Sequence, residues 1–181
     1  TVVVPVYLSA KYVEKAVLSL VNQTYKYIEI VLVNDGSPDN SGDICDKLSK
    51  VYSNIIVIHQ KNQGAAHAMY NGACYGTGRY LMFMDADDWL EPNTCELALK
   101  AILEHKCDLV FWYFYKEFDN KSVKVELPFS NEVIFVDENL KYLQRRLIGL
   151  EKYELKNPTK TDALSSGWAK LYLRENLVKN K

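Results

Sequence analysis

At 181 residues, 48% of them hydrophobic, the chain is long enough to bury a sizeable core and too apolar for a disordered tail. Its formal net charge of -1 provides no basic field, which argues against nucleic acid as a partner. The longest apolar run, "LVFWYFY" (109–115), is far shorter than the roughly 20 residues a membrane-spanning helix needs.

The chain opens with "TVVVPVY", already in strand-like sequence and without an initiating Met. It therefore reads as part of a longer polypeptide, truncated at both ends, whose outlying segments could carry targeting or membrane-anchoring signals. "VVVPV" predicts a β-branched strand, and Val13, Ala16, Val17, Leu20 and Val21 recur at helical spacing. "IEIVLV" (28–33) predicts a second buried strand, followed by the turn-rich "NDGSPDNSG" and a helix near 41–52. A third strand, "NIIVIH" (54–59), precedes a helix with Ala66, Met69, Tyr70 and Ala73 on one face. A fourth strand (79–84) runs into "DADDWLEP", and Pro92 suits the first turn of a helix reaching about His105.

Beyond residue 107 the periodicity weakens. "CDLVFWYFYKEF" and "NEVIFV" predict strands, and "DENLKYLQRRLIG" a helix capped by Asp137. Residues 151–167 predict a loop, and "WAKLYLRENLV" fits either a helix or a strand-to-helix junction. Cys45, Cys74, Cys95 and Cys107 never form C-x-x-C, so reduced thiols and a cytoplasmic setting are expected, with the inner face of a membrane as the other location considered.

Alternating strands and helices with near-continuous apolar strands predict an α/β fold, a mostly parallel sheet covered by helices on both faces. Ligands bind such sheets beyond the carboxyl ends of the strands. Tyr7, Asp35, Asn62 and the acidic run Asp85, Asp87 and Asp88 all fall at those ends, so they should converge on one cleft.

Clustered carboxylates repel, and a hard cation such as Mg2+ or Mn2+ would resolve the conflict. A solvated loop capping the next helix accounts for "DADDWLEP" equally well when that segment is taken alone. An EF-hand would need Gly where Leu90 stands. In "VNDGS", Gly36 permits a tight turn, and Asp35 could accept hydrogen bonds from a base or a ribose. Gly64 in "KNQGAAHAMYNGA" opens a helix whose free amides favour an anion, although a plain helix start explains that segment better on its own. Neither a P-loop nor a dinucleotide fingerprint occurs.

Together "VVVPVY", "LVNQTYKYIEIVLVNDGSPDNSGDI", "NQGAAHA", "NGACYGTGRYLMFMDADDWLEP" and "GWAKLYLREN" resemble glycosyltransferase family 2. The resemblance implies the GT-A fold and inverting transfer of a sugar from a nucleoside-diphosphate donor, UDP-linked by expectation. The acceptor would be a hydroxyl of a glycan, a lipid-linked molecule or another compound, in work such as polysaccharide biosynthesis. Residues 1–106 would be the nucleotide-sugar-binding half, and 107–181 a smaller mixed acceptor-side half of the same domain. Pro5, Val6 and Tyr7 would line the base pocket, and Asp35 would bond the base. Asp85 and Asp87 would form the Asp-x-Asp motif around Ala86, Asp85 nearer the ribose and Asp87 on a Mn2+ or Mg2+ ion, with Asp88 in support. Trp168 would border the sugar.

Leu8 stands where the family often has Asn, and Met69 and Tyr70 where it commonly has Arg-Asn. The family's catalytic base lies downstream of the segment matching "WAKLYLREN", so it is expected beyond Lys181, Asp162 being the only nearby acid before it. Two other readings stand beside this one. One is a non-catalytic nucleotide-sugar or glycan-binding module. The other, a haloacid-dehalogenase-like phosphatase, lacks the hydroxyl residue and Gly that normally follow its Asp-x-Asp.

Overall fold

The computed structural model describes residues 1–125, 134 and 169–178. Two compact units are present, Thr1–Phe111 with Lys170–Lys181 and Trp112–Ala169. In chain order the first unit contains β1 (Val2–Val6), α1 (Val13–Val21), β2 (Ile30–Asp35) and α2 (Ser41–Val51). It continues with β3 (Ile55–Gln60), α3 (Ala65–Tyr75), β4 (Tyr80–Phe83), α4 (Thr94–Glu104) and β5 (Leu109–Phe111). The second unit contributes a hairpin, β6 (Phe114–Phe118) and β7 (Lys121–Val125), of which the sequence reading missed β7. β8 (Lys170–Leu173) then joins the first unit and leads into a 3-10 turn at Arg174–Asn176, so the strand-to-helix junction is the correct reading of "WAKLYLRENLV".

The main sheet has the order β3-β2-β1-β4-β8-β5. β1 to β4 run parallel, while β8 is antiparallel to both β4 and β5. This is the predicted mostly parallel α/β sheet flanked by helices. Its centre is β-branched and apolar, and every residue of β2 is buried. Strands buried on both faces lack polar alternation, which is why β1 and β2 read as continuous apolar runs. Val13, Ala16, Val17 and Leu20 form the buried face of α1, as their spacing predicts.

The face of α3 needs correction. Its buried residues are Ala68, Gly72 and Ala73, whereas Ala66 and Tyr70 are exposed. Ala68 and Ala73 join the core of Val3, Val31, Val33 and Leu81. Small residues let this helix approach the sheet closely, so side-chain size marks the inner face better than hydrophobicity does. The expected strand at 131–136, the helix from Asp137 and the loop at 151–167 lie outside the described residues, Ile134 excepted. Among the described residues, no helix is long and apolar enough to cross a membrane.

Candidate functional site

β1 lies between β2 and β4, so the chain order reverses beside it, and the crevice between the ends of β1 and β4 is the switch point of the sheet. Val3 pairs with Phe83, which places Pro5 and Asp85 two residues further on at the same edge. Val6 pairs with Asn34 and Asp35 with Gln60, so the ends of β2 and β3 reach that edge too.

The segment after β1 is tied to the turn after β2. The Leu8 amide donates to Ser37 Oγ at 3.3 Å, and Ser37 Oγ donates to the Val6 carbonyl at 3.3 Å. The Ser9 amide donates to Ser41 Oγ at 2.9 Å, and that of Ala10 to Asp39 Oδ2 at 3.1 Å. Tyr7 is exposed, but Val6 is fully buried and presents no surface to a ligand, so it can act there only by placing its neighbours. Leu8 has φ 51°, a left-handed conformation that is strained for a bulky side chain and accepted by Asn. Leu8→Asn is expected to stabilise the protein by about 1 kcal/mol, read as a higher urea midpoint; an unchanged or lower midpoint would contradict the strain.

Gly36, at φ 66°, makes the turn after β2. Asp35 is only 2% exposed and accepts hydrogen bonds from Gln60 Nε2 at 2.7 Å, the Gln63 amide at 2.9 Å and the Gly64 amide at 2.8 Å. Burial alone would raise its pKa, but these donors and the nearby His67 outweigh it and hold the carboxyl below its ordinary value. Asp35 thereby fixes the loop that starts α3. Gln60 and Gln63 were not singled out from sequence; the signal available was a polar pair bracketing the end of an otherwise apolar strand.

Beyond β4, the Met84 amide still bonds the Val3 carbonyl at 3.1 Å. The Asp88 amide then bonds the Asp85 carbonyl at 3.1 Å and closes a turn. Met84 and Ala86 point into the core, Asp85 is half-buried, and Asp87 and Asp88 keep solvent-facing surface. Among the described residues, no ion pair neutralises the three acids. Burial and then the charge of Asp87 raise the Asp85 pKa, while burial and then Asp85 and Asp87 push Asp88 up to about 6.

Among the described residues the site therefore holds negative charge that no ion pair compensates, and its donors are the hard oxygens that suit Mg2+ or Mn2+. Among the described residues, no three acidic, His or Cys side chains already form a metal cage. A cation held here would have to complete its shell with water or ligand oxygens, as Mg2+ usually does.

A raised acid favours folding when protonated. Between about pH 4 and 6 the folded state holds the Asp88 proton more tightly than the unfolded chain does, so the contribution of this group to stability falls as pH rises through that window. Without added metal, Asp88→Asn is expected to be more stable than wild type at pH 7 and to converge with it near pH 4. Parallel urea midpoints across that range would contradict the shift.

The structure thus brings Pro5, Tyr7, Asp35 and the Asp85–Asp88 turn to one sheet end. Trp168 and Asp162 lie outside the described residues. Tyr70 is exposed on α3 and Met69 half-buried.

The family model described as Glycosyl transferase family 2 matches residues 1–178. Glycosyltransferase GlyA of Streptococcus pneumoniae serotype 4 is 36% identical over 181 residues, covering 95% of this chain and 24% of that protein. Glycosyltransferase GlyG of the same organism is 40% identical over 122 residues, covering 66% of this chain and 40% of that protein. The chain thus spans well under half the length of these relatives. Among solved structures, S. aureus TarS 1–349 has a TM-score of 0.73 at 24% identity, covering 97% of this chain and 47% of that one, a likeness of fold.

Proposed function

The chain belongs to glycosyltransferase family 2, and from that premise we propose that it carries the donor-binding part of an enzyme that moves a sugar from a nucleoside diphosphate to an acceptor hydroxyl. The donor is a UDP-sugar, the anomeric carbon is inverted, and Mn2+ or Mg2+ assists. The observation that carries this reading is the carboxylate turn Asp85–Asp88 at the sheet's switch point, which no ion pair neutralises among the described residues. The family match leaves the phosphatase alternative without support.

Asp87, Asp85 and Asp88 would hold the cation, which when bound offsets the charge on the departing nucleoside diphosphate. Pro5 and Tyr7 border the base, while Val6 and Ala86, both buried, act by placing their neighbours. Asp35 bonds the base through its remaining acceptor capacity while securing the start of α3. Residues 1–106 serve the donor and 107–181 the acceptor side.

The first test is thermal unfolding of the full chain with UDP, with and without Mn2+. UDP is the probe because the family resemblance points to uracil, and one TarS structure of the same fold is a complex with UDP. Tm should rise with UDP concentration in the presence of Mn2+ and much less without it. A Tm indifferent to UDP and Mn2+ together would overturn the reading. UDP release from UDP-sugars by the longest available form of the protein separates transfer from binding alone.

A further inference from the structure

One side of α1 holds the segment that follows the acidic turn. Lys15 Nζ stands 3.3 Å from the centroid of the Trp89 ring, which is 41% exposed. One helical turn later, Ser19 Oγ accepts the Leu90 amide at 3.2 Å and donates to the Ala16 carbonyl at 2.7 Å. Just past the end of the helix, Gln23 has no exposed surface. Its Nε2 donates to the Glu91 carbonyl at 2.7 Å and to the Ser19 carbonyl at 3.0 Å. Its Oε1 accepts the Cys95 amide at 3.0 Å.

That last bond has a clear physical purpose. Cys95 lies in the first turn of α4, where backbone amides lack partners within the helix, and Asn93 supplies no side-chain cap. Gln23 caps α4 from the segment that follows α1. The Thr24 amide adds a bond to the Pro92 carbonyl at 2.8 Å, and Thr24 Oγ1 donates to Glu96 Oε2 at 2.6 Å. Lys15 and Ser19 on α1, with Gln23 and Thr24 just past its end, thus grip Trp89, Leu90, Glu91 and Pro92 in succession.

We propose that Lys15, Ser19 and Gln23 are positioning residues that set the orientation of the Asp85–Asp88 turn for the donor diphosphate. None of them needs to touch the donor. Lys15 and Ser19 hold the first two residues after Asp88, and Gln23 anchors the far end of the segment in the core. Carboxylates that repel one another are harder to gather on a ligand when their segment is free, so a support outside the turn favours that arrangement. This role rests on the donor-binding reading above.

The test uses the full chain with Lys15→Met, Lys15→Arg and Ser19→Ala, leaving the buried Gln23 intact to preserve folding. Amide hydrogen exchange over residues 85–92 and UDP titrations with and without Mn2+ are the readouts. Lys15→Met should speed exchange in that segment and weaken Mn2+-dependent UDP binding by about 2- to 5-fold, the range of an exposed cation–π contact. Metal-free UDP binding should be unaffected. Ser19→Ala should act in the same direction, and Lys15→Arg should restore wild-type behaviour because guanidinium also stacks on Trp. Unchanged exchange, or equal losses with and without Mn2+, overturns the positioning role while leaving the donor-binding reading in place. A wild-type chain that binds no UDP in the presence of Mn2+ overturns both.

Discussion

Asp87→Ala is expected to remove Mn2+-dependent UDP binding and to lower sugar transfer by about a thousandfold or more, because a bound cation contributes several kcal/mol of charge stabilisation in such a step. The same substitution should make the ligand-free protein more stable. Asp87 is the charge that both neighbours feel, raising the pKa of Asp85 and of Asp88. Removing it relieves repulsion in a turn that no ion pair neutralises among the described residues. Function and apo stability should therefore move in opposite directions, which general damage to the fold would not produce. Retained Mn2+-dependent binding, or a lower urea midpoint without metal, would refute the assignment of Asp87.

Gly72→Ala should destabilise the protein by about 2 kcal/mol, near the middle of the range for overpacked cores. On an exposed helix the change would be favourable, since Ala exceeds Gly in helix propensity by about 1 kcal/mol. Here an added Cβ would stand 2.3 Å from Val3 Cγ1 and 3.0 Å from Val33 Cγ2. Both valines are fully buried on adjacent central strands, so neither can yield cheaply. Thermal unfolding should show a Tm lower by roughly 4–8 °C, at about 2–4 °C per kcal/mol for a chain of this size. Val3→Ala in the same background should recover part of the loss through non-additivity. A Tm equal to wild type would mean that α3 can shift away from the sheet.

The parallel half of the fold was legible because its signals are local and physical. β1 and β2 announce themselves by unbroken apolar runs, and α1 by its spacing. The convergence of Tyr7, Asp35 and the acidic run follows from parallel strands alone. What escaped depends on partners distant in sequence. The inner face of α3 is chosen by the need for small residues against Val3 and Val33, so counting apolar positions selected Ala66 and Tyr70 wrongly. Asp35 looked like a group free to meet a ligand, yet it is largely engaged by Gln60, Gln63 and Gly64, a network that no local pattern reveals. Leu8 reads as a departure from family habit, and only its φ shows that the position asks for a left-handed residue.

The placement of β8 bears on how the protein is made. β8 sits between β4 and β5, so the flank of β4 stays bare until residues 170–173 have left the ribosome. Throughout that interval the nascent chain presents an unpaired strand border beside an already apolar sheet, the kind of surface that recruits other chains. Slow translation or a weak pairing at Leu171 would thus lower yield through aggregation, even where the finished molecule is sound.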